Sequence, residues 1–160
     1  MKHLFKISLV LLLFSSIPTI VFSAAPTGTL KDISEDDSQN IKSFFRSIEY
    51  FNDIQTVLRN TDNSNPQEKF DAMIKLAKKI IEEDKMINKT KLDIFYPSWG
   101  TTYKENFVKG VSLLLRGLEQ KSKTDFAMAD GFLADWDTWW RNNHSQVFLT
   151  LHEKFGFEIK

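Results

Sequence analysis

Two histidines are the residues of this sequence best suited to hold a metal ion. His144 follows a pair of tryptophans near the end of an apolar pattern, in DTWWRNNHSQVF, and His152 lies in TLHEKF. The third histidine, His3, belongs to an apolar N-terminal segment, and the chain has no cysteine. A neutral imidazole nitrogen is a common metal ligand. His144 is therefore either a metal ligand or a polar residue that ends a core helix, whereas we expect His152 to be a surface residue of a terminal segment.

Common catalytic motifs are missing from the sequence. With two histidines beyond the N-terminal segment and no cysteine, no nucleophilic triad is available, and neither H-E-x-x-H nor G-x-x-x-x-G-K-[ST] occurs. Asp130, Asp135 and Asp137 in DGFLADWD do not have the spacing of a calcium loop. They alternate with apolar residues, which predicts a solvated helix face. We expect a protein without enzymatic activity.

The N-terminus predicts export. Lys2 and Lys6 precede the apolar run Ile7–Phe14, and small residues follow before position 24. This order is typical of a cleavable secretory signal, so we interpret residues 1–23 as a signal peptide and expect a periplasmic protein. Pro18 interrupts the run before it reaches the roughly 20 apolar residues that a membrane span requires. We therefore expect no membrane span after cleavage.

Composition narrows the possible partners. Lysine plus arginine and aspartate plus glutamate each total 21, and removing Lys2 and Lys6 leaves a small acidic excess. This balance disfavours nucleic acid and anionic membrane surfaces as partners. The lack of cysteine excludes disulfides, zinc-thiolate sites and covalent haem attachment. Residues 34–160 are long enough to bury one conventional core, and residues 24–33 are predicted to be a flexible leader.

The first half of the domain predicts two amphipathic helices. Ser34 and the acidic residues after it are typical of a helix start, and apolar residues at spacings of three and four continue to about Asn60. Asn65 and Pro66 predict the start of the second helix, which carries a similar stripe to Ile87.

The second half predicts two more helices after a longer connection, NKTKLDIFYPSWG. Thr102 opens the third helix and Thr124 the fourth, and beyond Asn142–Asn143 the apolar pattern restarts and ends at Phe155. No strand pattern occurs. The prediction is an all-α domain, an antiparallel up-down-up-down four-helix bundle in which the first and fourth helices are neighbours.

Three stretches of the sequence resemble the cytochrome b562 family of small periplasmic haem proteins. They are IEYFNDIQTVLRNTDNS in the first helix, YKENFVKGVSLLL in the third and WWRNNHSQVF in the fourth. The similarity covers roughly residues 37–148 and depends on order and spacing more than on any single letter. The resemblance implies non-covalent haem b, held between a methionine early in the first helix and a histidine late in the fourth.

Transferring these two ligands gives a mixed result. The methionine position falls on Ile48, which cannot ligate iron, and the first helix has no other methionine or histidine. Matching Arg141-Asn142 places Ser145 at the histidine position, whereas matching the apolar stripe places His144 there. We prefer the stripe, because burial fixes the rotation of a helix more firmly than two polar letters do.

Bulky aromatic residues crowd the region where the resemblance places the haem. They are Phe44, Phe45, Phe51, Trp136, Trp139 and Trp140. Such rings would fill the slot, so we expect no cofactor and a role in binding an unknown periplasmic protein or small ligand. One alternative is a haem b electron carrier that uses His144 as axial ligand. Another is a partner-binding protein of the inhibitor or immunity type.

Overall fold

The computed structural model describes residues 33–60 and 65–157. The predicted signal peptide (1–23), residues 24–32 of the predicted leader and the last three residues of the predicted domain lie outside the described residues. The described residues form five helices and no strand, which confirms the all-helical class. Within these two ranges, no helix combines the length and apolar character needed to cross a bilayer.

The first two helices begin where the sequence predicts. Helix α1 spans Glu35–Arg59 and α2 spans Pro66–Asp84. The Ser34 hydroxyl accepts the backbone N–H of Asp37 at 3.1 Å. The Asn65 side chain accepts the N–H of Gln67 at 3.0 Å, so each helix has the cap that its sequence indicates.

The connection after α2 contains a helix that the sequence did not predict, α3, Lys89–Phe95. Its N-cap is Asn88, whose N–H donates to the Asn40 side chain of α1 at 2.8 Å. The Asn40 amide returns a hydrogen bond to the Asn88 carbonyl at 3.2 Å. Leu92 is fully buried beneath α3. The Asn88 side chain caps α3 by accepting the N–H groups of Thr90 and Lys91, and Asn40 and Leu92 attach this short helix to the rest of the fold.

Helix α4 begins earlier than predicted and is not a regular α-helix. It comprises three consecutive segments, the α-helical Trp99–Thr102, the π-helical Tyr103–Val108 and the α-helical Lys109–Gln120. The predicted start at Thr102 is wrong. The Asp93 carboxylate of α3 accepts the N–H of Thr101 at 3.0 Å and its hydroxyl at 2.7 Å, so tertiary contacts fix the first turn.

The π-helical segment follows from the spacing of the buried residues. Trp99, Tyr103, Phe107 and Val111 are all fully buried and lie four positions apart. An α-helix has 3.6 residues per turn, so three successive steps of four would rotate the last residue away from the first. The wider π-turn, with its i→i+5 hydrogen bonds, keeps these side chains on one face.

Helix α5 is one continuous helix, Lys123–Phe155, capped by the Ser122 hydroxyl. It begins one residue before the predicted Thr124. The predicted interruption at Asn142–Asn143 is wrong, because the Asn143 amide donates to the Trp139 carbonyl and its oxygen accepts from the Tyr96 hydroxyl at 2.9 Å.

Three pairs of helices pack most closely. The main pairs are α1 with α2, α2 with α4, and α4 with α5. Two glycines of α4 allow the last approach. A Cβ added at Gly110 would lie 2.7 Å from Leu133 Cγ, and one added at Gly117 would lie 3.0 Å from the Phe126 ring. We call this contact the α4–α5 seam.

Candidate ligand site between α1 and α5

Helices α1 and α5 meet through large side chains instead of through their backbones, which approach closely at few positions. Phe44 reaches the rings of Trp136 and Trp140, with centroid distances of 6.1 and 5.5 Å. Phe45 stacks on Phe148 at 5.8 Å. We call this contact, with these five rings, the α1–α5 seam. It corresponds to the place where the family resemblance puts a haem.

Phe44 is the centre of the seam. It is 0% exposed, and two further rings from α4 contact it edge-on. Trp99 lies 4.8 Å from it at 86°, and Tyr103 lies 5.3 Å from it at 65°. Edge-to-face contacts of this kind are favourable beyond the area they bury. Phe44 thus occupies the middle of the seam with aromatic neighbours from both α4 and α5.

The tryptophans of α5 form a stacked row. Trp136 lies 5.6 Å from Trp139 and 5.4 Å from Trp140, with an interplanar angle of 24° in each pair. Trp136 and Trp140 are buried, and Trp139 is half-buried next to Tyr96, at 6.2 Å. The expectation that these rings belong to the core is confirmed for Trp136 and Trp140 and only in part for Trp139.

His144 lies at the edge of the seam and is half-buried. Its Nδ1 is 3.2 Å from the Trp140 carbonyl and 3.1 Å from the Arg141 carbonyl. Carbonyl oxygens only accept hydrogen bonds, so Nδ1 is the donor here, and Nε2 lies 3.4 Å from the Ser145 hydroxyl. A metal-ligating histidine commonly donates its other N–H in the same way. Ser145, the alternative match, is exposed.

The described residues offer few side chains that could act as a second metal ligand opposite His144. Ile48 is 4% exposed and belongs to the core of α1, whose sequence contains neither methionine nor histidine. Among residues 33–60 and 65–157, no three histidine, aspartate or glutamate side chains group as metal ligands would. With the seam filled by rings and one candidate axial ligand present, these residues do not fit a six-coordinate haem.

The prediction of a solvated acidic face on α5 is wrong for one of its three members. Asp135 is exposed and Asp130 is half-buried, but Asp137 is only 6% exposed. One Asp137 oxygen pairs with Arg141 Nε at 2.9 Å, and the other is buried without a hydrogen-bond partner. Burial raises the pKa of Asp137 above its ordinary value, and the nearby Arg141 opposes this only in part.

The structure contains a buried pair of hydroxyl groups that the sequence did not predict. Tyr103 is fully buried, and its hydroxyl lies 3.1 Å from Ser47 Oγ, which donates to the Ser43 carbonyl at 2.9 Å. Burial raises the pKa of Tyr103 far above its ordinary value, so the phenol is neutral. The sequence feature that could have indicated this pair is the presence of two serines, Ser43 and Ser47, four positions apart beside the apolar stripe of α1.

A concave surface lies on the outside of α1 and α2. This shallow groove contains Tyr50, Ile74, Lys75 and Lys79, with Asp71, Glu82 and Glu83 beside them. Lys79 Nζ lies 4.8 Å above the Tyr50 ring. The charges are mixed, and none of its lining residues belongs to α5.

Comparison with protein-family models, curated proteins and solved structures finds no match for this chain.

Proposed function

We propose that this protein is an exported, non-enzymatic binding protein of the cytochrome b562 type, in which its own aromatic side chains occupy the place of the haem. The observation that carries the proposal is the position of Phe44. It is 0% exposed and has ring neighbours on both α4 and α5, in the seam where the resemblance places the cofactor.

An antiparallel bundle of α1, α2, α4 and α5 is part of the proposal. For α1 and α2, Arg46 pairs with Glu83 at 3.4 Å, while Asn60 at the far end of α1 accepts a hydrogen bond from Lys69. Positions that rise along one helix thus meet positions that fall along the other. This relation supports antiparallel packing.

Two further pairs support the same arrangement. Between α4 and α5, Gly110 lies against Leu133 and Gly117 against Phe126. Between α2 and α4, Lys104 Nζ lies 2.5 Å from the Asp84 carboxylate, and Lys78 Nζ lies 2.8 Å from the Glu119 carboxylate.

Filling the seam has a simple physical reason. A bundle that lost a cofactor would retain a void, and voids forfeit dispersion contacts on every lining atom. Rings as large as phenylalanine and tryptophan restore these contacts at native packing density. The functional surface then lies elsewhere, and we propose a periplasmic protein or a small ligand as its partner. The exported location rests on residues 1–23, and mature protein should begin at Ala24.

One observation favours a second candidate, a haem b electron carrier. The Nδ1 contacts of His144 leave Nε2 as the acceptor nitrogen, which is the form that an axial ligand requires. In that case haem would bind on a single protein ligand from α5, after the seam had opened.

Haemin titration separates the two candidates. The visible spectrum would be recorded for the unmodified protein, for His144→Ala and for the control His152→Ala, since His152 is exposed. A filled seam predicts only weak, nonspecific haemin adsorption that is the same in all three proteins. A sharp Soret band that His144→Ala removes and His152→Ala retains would contradict the proposal and establish the haem carrier.

A further inference from the structure

The groove on the outside of α1 and α2 combines an apolar surface with charged side chains. Its cavity volume is about 530 Å³, which lies in the range of small-ligand sites. Tyr50 of α1 and Ile74 of α2 are half-buried and form its apolar part. Six charged residues of α2 surround them, namely Asp71, Lys75, Lys78, Lys79, Glu82 and Glu83. One ligand can therefore contact an apolar surface and a charged group at the same time.

The three carboxylates of the groove already have partners. Glu82 pairs with Lys85 at 2.7 Å, and Glu83 pairs with Arg46 at 3.4 Å. The third, Asp71, accepts a hydrogen bond from a neighbouring side-chain amide at 2.9 Å. These acidic side chains are therefore less available to a ligand than their number suggests.

Two of the three lysines of the groove lack an acidic partner. Lys78 pairs with Glu119 of α4 at 2.8 Å. Neither Lys75 nor Lys79 forms an ion pair with a carboxylate of residues 33–60 or 65–157. Like charges four positions apart on a helix repel each other, and a bound anion would relieve this repulsion. The charge that the groove offers to a ligand is therefore positive, although its acidic and basic residues are equal in number.

Lys79 lies directly above the apolar part of the groove. Its Nζ is 4.8 Å from the centroid of the Tyr50 ring, a cation–π contact. An ammonium group has three N–H donors, so contact with one ring leaves donors for an anion. An anionic group that pairs with Lys79 therefore brings the rest of its molecule against Tyr50 and Ile74.

A further donor lies at the Glu83 end of the groove. Arg46 contacts Glu83 and the Ser43 hydroxyl through the same nitrogen, Nη2, and each distance is a long 3.4 Å. Its Nε is buried and has no hydrogen-bond partner in the described part of the chain. A guanidinium group has five N–H donors, and leaving a buried donor unpaired is costly. This end of the groove therefore also favours a ligand that accepts hydrogen bonds.

We propose that the groove binds a small organic acid, a carboxylate attached to an apolar ring or chain. Lys75 and Lys79 hold the carboxylate, and Tyr50 and Ile74 contact the apolar part. This inference rests on the proposed function, in which the functional surface lies outside the α1–α5 seam and a small ligand is one of the possible partners.

The test compares three probes by NMR titration of the full chain at low ionic strength. 3-Phenylpropionate has both the carboxylate and the ring, 3-phenylpropylamine has the same ring with a positive charge, and propionate has no ring. 3-Phenylpropionate should bind saturably and shift the amide signals of Tyr50 and Ile74. Propionate should bind about tenfold more weakly, given the typical free energy of burying a phenyl ring, and the amine should show no saturable binding.

Single lysine variants test the charge. Lys75→Gln and Lys79→Gln should each weaken 3-phenylpropionate binding about two- to fivefold, the range expected for an exposed ion pair. Lys123→Gln is the matched control, because it removes the same charge at an exposed position on α5 and should leave the affinity unchanged.

Two outcomes would overturn the proposal. One is 3-phenylpropylamine binding as tightly as 3-phenylpropionate. The other is an affinity for 3-phenylpropionate that is the same in both groove variants and in Lys123→Gln. Haemin titration reports on the α1–α5 seam and not on this groove, so failure of the organic-acid site and failure of the proposed function are distinguishable.

Discussion

Helix α5 is packed in two different ways along its two neighbours. Toward α4 it comes close, because Gly110 and Gly117 present no side chain to Leu133 and Phe126. Toward α1 it stays apart, and the gap is filled by rings such as Phe44. A close seam can accept no additional atom, whereas a wide seam loses a large volume when one ring is removed. Added atoms should therefore destabilise the protein at the α4–α5 seam, and removed atoms should destabilise it at the α1–α5 seam.

The largest effect is expected at the centre of the α1–α5 seam. Phe44→Ala removes a fully buried ring with several aromatic neighbours and should lower the free energy of unfolding by about 3–5 kcal/mol. Urea unfolding followed by circular dichroism would measure it. Phe132→Ala is the control, since Phe132 is half-buried on α5. Equal losses in the two variants would mean that the seam is not tightly filled.

The α4–α5 seam should respond to an added methyl group. Gly110→Ala places a Cβ 2.7 Å from Leu133 Cγ and should cost about 1–3 kcal/mol of unfolding free energy. The matched control is Gly131→Ala on α5, where a Cβ meets nothing within 4 Å. Because alanine favours helices over glycine, that change should stabilise the protein by roughly 0.5–1 kcal/mol. A neutral or stabilising Gly110→Ala would remove the distinction between the seams.

Ile48→Met tests the α1–α5 seam with little change of volume. Both side chains are apolar, so the cost in unfolding free energy should stay below about 1.5 kcal/mol. If the rings fill the seam, haemin should bind the variant no better than the unmodified protein. A low-spin, six-coordinate spectrum in Ile48→Met would instead mean that the seam opens and that Ile48 faces His144.

The smallest effects should be visible as pH dependence. Burial raises the pKa of Asp137 in the folded state, so its protonated form favours folding and its ionisation opposes it. Unfolding free energies of Asp137→Asn and the unmodified protein should agree at low pH. The variant should then gain relative stability as pH rises from the ordinary aspartate pKa through the raised one.

Asp125 is the control with the opposite sign. Its hydrogen bond from Arg116 lowers the pKa, so the carboxylate stabilises the fold above the ordinary aspartate pKa. That contribution disappears as pH falls through the lowered pKa. Asp125→Asn should therefore lose stability near neutral pH and match the unmodified protein in acid. Parallel pH profiles for the two variants would contradict the opposite pKa shifts of these two carboxylates.

Prediction from the sequence succeeded where a residue acts on its own helix. Ser34 and Asn65 cap α1 and α2 through bonds to N–H groups two or three positions away, and such local bonds need no knowledge of the rest of the fold. The candidate site was predicted in part. Four of the five rings at the α1–α5 seam were foreseen, but the turn at Gly156 that places Phe157 beside Phe45 was not.

Other features depended on contacts between distant parts of the chain. Asn40 holds Asn88 and so helps to order α3, across 48 positions of sequence. The large apolar residues of the π-helical region of α4 recur every four positions, and this spacing is visible in the sequence. That they share one buried face, with Tyr103 against Ser47 of α1, is visible only in the structure. Asp137 is acidic, and its residue type therefore predicts a surface position, but it is only 6% exposed.

The sequence by itself determined that the chain is helical, where α1 and α2 begin and which residues of α5 are apolar. These properties follow from periodicity and from caps formed within a few residues. The tertiary structure alone decided how far apart the helices lie, because that distance depends on which side chains meet across a seam. Glycine against leucine brings α4 and α5 together, and phenylalanine against tryptophan holds α1 and α5 apart.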